Sequence, residues 1–250
     1  MTIDAIALDL TDRCTLVSSL PHGGTVAEIG VQGGVFSRSI LDFNRPEKLY
    51  LIDCWEHQAD DVYGADPSNY PDEAHEILRA LVQRTFCTDP RVHIVKAYSQ
   101  QATAWFPSAF FDWIYIDANH LQVCQDIETW WRTVKPGGWF VGHDYCMLGD
   151  FITVKDDLDK YIAEKGFELH VTRERSNSPS ITATPSWAFQ KPLVEEPCQH
   201  DYWLRCSAFR TLFTVTCSKC GKSPECSDDL VDSAGIRLAL QWGSESSVIG

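Results

Sequence analysis

The chain has 250 residues, of which 44% are hydrophobic, and carries a formal net charge of −14. Its 9 tryptophans and 12 phenylalanines are ample for a buried core in one large domain, or in one domain with a small appendage. So acidic a surface repels phosphate backbones, which argues against nucleic acid as substrate or partner. No uncharged apolar run reaches the ~18 residues of a membrane span. Residues 1–6 carry an early acid and no basic leader region. A cytoplasmic protein without a membrane partner is the expectation.

In chain order, Ile6, Leu8, Leu10, Leu16, Val17 and Leu20 have roughly helical spacing, and Pro21-His22-Gly23-Gly24 ends that helix. Thr25 to Gly30 reads as a buried parallel strand. A glycine-rich turn through Gly34 follows, then a helix from Phe36 to Phe43. Glycine lets backbone approach a ligand closely, and the helix start offers unpaired N–H groups. Leu49 to Asp53 is a second strand. Asp53 stands 19 residues past Gly34, close to the ~20 at which an acid reaches the ribose of a nucleotide held at the first turn. The competing reading of Asp53 is a helix cap.

Residues 55–72 form a long, acid-rich loop, a common place for function. A helix over Ala74–Phe86, a strand over Val92–Ala97 and a short helix from Ser99 to Phe106 come next. Phe111–Asp117 is a fourth strand, again ending in an acid, and Gln122–Val134 a helix. Lys135-Pro136-Gly137-Gly138 is a turn into a fifth strand, Trp139–Gly142, followed by His143-Asp144-Tyr145. A helix over 152–165 precedes strands near 167–171 and 186–190. Strands alternating with helices predict an α/β fold, a doubly wound and mostly parallel sheet covered on both faces.

Glu28-x-Gly30-x-x-x-Gly34, Asp53, Asp117-Ala118-Asn119-His120 and Gly142-His143-Asp144-Tyr145 all fall at strand ends. Together they resemble class I S-adenosylmethionine-dependent methyltransferases, and within these the small O-methyltransferase-like group with Asp-x-x-His and Gly-His-Asp-Tyr strand ends. The resemblance covers about residues 20–192. It implies a Rossmann-like, seven-stranded sheet with S-adenosylmethionine as cofactor. Glu28, Gly30 and Gly34 would cradle its methionine part, Asp53 would accept from both ribose hydroxyls, and Ala97, Tyr98 or Ser99 would border the adenine, with Asp117 also at the cofactor. A helix cap competes for Ser99.

The implied reaction moves the methyl group to a hydroxyl oxygen of a small molecule, a sugar or another hydroxylated metabolite. His120 is the expected general base. Asp117 and Asp144, with His143, would hold a divalent cation, Mg²⁺ or Mn²⁺. Imidazole disfavours Mg²⁺ in such a set, and in the rival reading His143 and Asp144 bond each other. Two further readings stand beside this one: a catalytically degenerate binding module, and an iron-dependent hydroxylase. Self-association into a homo-oligomer is admitted but not dictated.

Lys191 to Pro197 reads as a linker, dividing a domain over 1–192 from a segment over 193–250. Beyond it, Cys198-x-His200 is followed after 16 residues by Cys217-x-x-Cys220-Gly221. Two soft or borderline ligand pairs suit tetrahedral, structural Zn²⁺, with Cys206 or Cys226 as substitutes for Cys198 or His200. The expected appendage is a small zinc-ribbon-like segment, with free core cysteines or a redox pair as the rival readings, ending in a helix near Asp229–Leu240.

Overall fold

The computed structural model describes residues 7–149, 152–173, 184–193, 202–206 and 213–217. They fall into two compact units, Met1–Val194 and Glu195–Gly250.

In the first unit, α1 (Arg13–Ser19) begins at Asp12, whose carboxylate accepts from the Thr15 amide while the Thr15 hydroxyl oxygen accepts from the Asp12 amide. This capping box fixes the helix start, so the helix is shorter than its apolar spacing suggests. Strand β1 (Thr25–Ile29) runs into α2 (Val35–Ser39), which widens into a π turn over Ile40–Asn44. The expected helix to Phe43 therefore splits. Buried Asn44 gains from this, donating its amide to the Val17 carbonyl (2.8 Å) at the end of α1.

The chain continues through β2 (Lys48–Asp53), the short α3 (Asp60–Tyr63), α4 (Asp72–Phe86), β3 (Val92–Lys96) and α5 (Ser99–Ala102). After these come β4 (Phe111–Ile116), α6 (Val123–Trp130), β5 (Val134–Gly142), α7 (Val154–Lys165), β6 (His170–Val171) and β7 (Trp187–Gln190). The turn expected at Lys135–Gly138 lies inside β5. There the register with β4 shifts between Phe111 and Trp113, so Lys-Pro-Gly-Gly is accommodated as an irregularity of the strand.

Seven strands form one sheet in the order β3-β2-β1-β4-β5-β7-β6. Pairs from β3 to β5 are parallel, while β7 runs antiparallel to both β5 and β6. Alternate residues face opposite layers, as the period of a strand requires. From β4, Ile114 and Ile116 join Ala27, Ile29, Ile127, Trp130 and Leu158 on the α6/α7 side. Trp113 and Tyr115 join Leu16, Val17, Phe36, Val82 and Phe86 on the α1/α2/α4 side. The doubly covered, mostly parallel sheet is as the sequence predicts.

The second unit contains an antiparallel pair, β8 (Tyr202–Cys206) and β9 (Phe213–Cys217), with Cys217 opposite Tyr202. Cys198, His200, Cys220, Cys226 and the expected terminal helix lie outside the described residues. No helix among the described residues is long and apolar enough to cross a membrane.

Candidate active site

Strand β1 has β2 on one side and β4 on the other. Connections depart in opposite directions from this point, which opens a crevice beyond the carboxyl ends of the strands. Asp53 closes β2 beside it. Its Oδ2 accepts from the amides of Val31 (2.8 Å) and Gln32 (2.9 Å), and its Oδ1 from the amide of Trp55 (2.7 Å). A carboxylate has about four acceptor positions, so one, on Oδ1, is left for a ligand. The geometry thus offers one ribose hydroxyl a place on Asp53, not two, and gives the acid a second task in holding the glycine turn. Trp55, buried at φ 43°, completes that clamp by donating its indole N–H to the Gln32 carbonyl (2.9 Å).

The two glycines owe their identity to packing. A Cβ on Gly30 (φ +88°) would stand 2.0 Å from the Asp117 carbonyl oxygen, and one on Gly34 (φ +75°) 2.9 Å from the Phe86 ring. The turn is pressed against the end of β4 on one side and α4 on the other. Glu28, buried beneath it, accepts a hydrogen bond from the Ser37 hydroxyl. Burial pushes the Glu28 carboxyl up to about 8; the Ser37 bond opposes this, and the charges of Asp117 and Asp53 add to it. Glu28 is therefore largely uncharged at neutral pH. Ser99 directs its hydroxyl to Asp126 (2.6 Å) and accepts from the Trp130 indole (2.9 Å). It thereby ties α5 to α6, with one lone pair left over.

The chemistry-bearing side chains converge at the ends of β4 and β5. His120 Nε2 lies 3.1 Å from Asp144 Oδ2 and 3.5 Å from Asp117 Oδ1. Neither approach lines up as a hydrogen bond, and Nε2 is buried without a hydrogen-bonding partner. The other ring nitrogen, Nδ1, contacts Asp66 Oδ2 at 3.2 Å. Burial works to lower the His120 pKa, but the carboxylates of Asp117, Asp144 and Asp66 prevail and push it up to about 12. The three surrounding carboxylates thus favour the protonated ring.

His143 stands behind this group. Its Nδ1 is 3.2 Å from Asp144 Oδ1 and 3.9 Å from Asp117 Oδ2, and burial, opposed by the stronger pull of both acids, leaves its pKa raised. Asp144 is buried and also accepts from the Thr184 hydroxyl. Burial would raise its carboxyl, yet His120 and His143 hold it well below the usual range. Its φ of 52° lies in the left-handed region, which Asp tolerates better than most residues.

Asp117, His120 and Asp144 each present one ligand atom within 4.8 Å of the others. The group brought into this set is thus His120 in place of the expected His143, which packs against Asp144. A buried imidazole nitrogen with no hydrogen-bonding partner, faced by two carboxylates, fits a divalent cation of the Mn²⁺ or Zn²⁺ type better than an all-oxygen Mg²⁺ site. Asp66, Trp55 and Thr184 are contacts that sequence reasoning missed. Only Asp66 carried any signal, being one of several acids in the long loop, and nothing in its spacing singles it out.

The seven-stranded, mostly parallel sheet with flanking helices is consistent with a Rossmann-like methyltransferase fold. Residues 27–145, from β1 through the residue after Asp144, match the family model described as a methyltransferase domain. No curated protein matches the chain by sequence. Among solved structures, a protein from Corynebacterium glutamicum is similar at 15% identity, covering 76% of this chain and 86% of its own, with a TM-score of 0.50. A cofactor-bound protein from MTB is similar at 17% identity, covering 73% of this chain and 78% of its own, also with a TM-score of 0.50. At these identities the likeness concerns the fold.

Proposed function

We propose that the chain transfers a methyl group from S-adenosylmethionine to a hydroxyl oxygen of a small molecule, with a divalent cation held by Asp117, His120 and Asp144. The observation that carries this reading is the placement of that cluster at the ends of β4 and β5, beside the crevice past Asp53, within a matched methyltransferase domain.

S-adenosylmethionine supplies a methyl group already activated on a sulfonium, so the protein's main work is alignment and proton management. Asp53 Oδ1 would receive a ribose hydroxyl, and the turn it clamps would take the methionine part. The neutral Glu28 floor under the turn avoids a buried charge. Asp117, His120 and Asp144 would hold the cation, which would supply Lewis acidity to the acceptor hydroxyl so that its proton can leave to solvent as the C–S bond breaks and S-adenosylhomocysteine departs. As part of this reading, His120 acts through Nε2 as a ligand. Ligand and base alike need Nε2 deprotonated, so a cation bound there would displace a proton from the ring, while Nδ1 stays against Asp66. The appended segment is proposed to hold structural Zn²⁺ through Cys198, His200, Cys217 and Cys220.

The test uses methyl-labelled S-adenosylmethionine with a panel of sugars and other hydroxylated metabolites, with Mn²⁺ or with a chelator. Label should pass to one acceptor class in Mn²⁺, fall at least 10²-fold on chelation, and fall similarly in Asp117→Asn. Turnover that survives chelation yet is lost in His120→Asn would return His120 to the role of base and remove the cation.

A further inference from the structure

The long segment between β2 and α4 reaches back over the strand ends. Tyr63 accepts a hydrogen bond from the Asn119 amide (2.8 Å), and Asp66 Oδ2 meets His120 Nδ1 (3.2 Å). Asp66 is itself well held: its Oδ1 accepts from the Ser68 amide (2.8 Å), its amide donates to the Tyr63 carbonyl (2.9 Å), and its carbonyl accepts from Asn69 (3.0 Å). The segment is braced at its base by His57, whose amide donates to Asp72 Oδ1 (2.7 Å) and whose ring contacts the Tyr70 carbonyl and Asp60. One carboxylate oxygen thus closes a turn, and the other faces the site.

We propose that Asp66 is a positioning residue for the site, fixing the His120 ring with Nδ1–H on the segment and Nε2 turned toward Asp117 and Asp144. An imidazole ring offers two nitrogens, and the hydrogen bond made by one sets the role of the other. Ligating histidines characteristically donate their second N–H to a carboxylate, and losing that partner typically weakens metal affinity ~10–100-fold. Asp66 stands where such a partner belongs, and its side chain is 14% exposed. It comes from a different part of the fold than the cluster, so the β2–α4 segment becomes part of the site's construction. Only the metal-affinity consequence rests on the cation reading above; the ring orientation does not.

Asp66→Asn separates positioning from support. Asparagine closes the same kind of turn through its own oxygen but then presents NH₂ to Nδ1, reversing the hydrogen-bond sense. In the full chain, ¹⁵N-histidine-labelled and metal-free, the wild type should show a protected Nδ1–H for His120, assigned by its absence in His120→Asn. Asp66→Asn should lose that signal while melting within a few degrees of wild type, and should bind Mn²⁺ ~10–100-fold more weakly by the free-ion spin resonance signal. An Asp66→Asn protein that keeps both the Nδ1–H signal and wild-type Mn²⁺ affinity overturns the proposal. If the wild type binds no Mn²⁺ but its Nδ1–H depends on Asp66, the cation reading falls and the positioning role stands. Should Asp66→Asn not fold, Asp66→Ser replaces it, since serine can close the turn but is too short to reach His120; the same two losses are expected and their absence is equally contrary.

Discussion

Glu28 illustrates how one buried side chain couples the crevice to stability. Its folded carboxyl titrates at about 8, against an ordinary 4.5. The folded state therefore binds more protons than the unfolded state between those values, and stability falls as pH rises through that window. Glu28→Gln keeps an acceptor for Ser37 and removes the titration. Chemical denaturation from pH 4.5 to 8 should show the wild type losing on the order of a few kcal/mol relative to Glu28→Gln; parallel curves would mean that Glu28 is solvated in solution. Asp53 makes a related point. The acid was legible in the sequence from its spacing alone, but the amides of Val31, Gln32 and Trp55 that occupy most of it were not. Spacing along a chain shows that a carboxylate reaches a turn. It does not show how many of its lone pairs the turn itself consumes.

Among the elements, the parallel strands were the most readable part of the chain, because burial on both faces writes them as continuous apolar runs. Their ends were readable too, since the apolar runs of β2 and β4 close on an acid and that of β5 on a His-Asp pair. What escaped was set by contacts distant in sequence. Asp66 meets His120 across 54 positions and Thr184 meets Asp144 across 40, and no local pattern encodes either. The irregularity in β5 was hidden for another reason: Pro-Gly-Gly signals a turn wherever it occurs, and only pairing with β4 keeps it in the strand. The close fit of β1 against β4 has its own test. Gly30→Ala places a methyl group 2.0 Å from the Asp117 carbonyl oxygen, at a φ unfavourable for alanine. The ends of β1 and β4 must separate, moving Asp117 off the cluster. Thermal denaturation should show a loss of at least ~2 kcal/mol, with Mn²⁺ binding weakened in parallel. A stable variant with intact binding would show that the turn relaxes without disturbing Asp117.

At the scale of the molecule, the first unit joins a Rossmann-like sheet, a clamped glycine turn and an acid–histidine cluster along one edge. Under the proposed function each part would answer a different requirement: a place for the donor, a floor that carries little charge, and a group to prepare the acceptor oxygen. The most direct test of that account is calorimetric titration of the full chain with S-adenosylhomocysteine, paired with its melting temperature. One saturable site per chain is expected, with a stabilisation of ~2.7 kcal/mol at a hundredfold excess over Kd. Asp53→Ala should melt below the wild type before any ligand is added and gain little when it is. No binding heat and an unchanged melting temperature in the folded wild type at millimolar S-adenosylhomocysteine would contradict the proposed function.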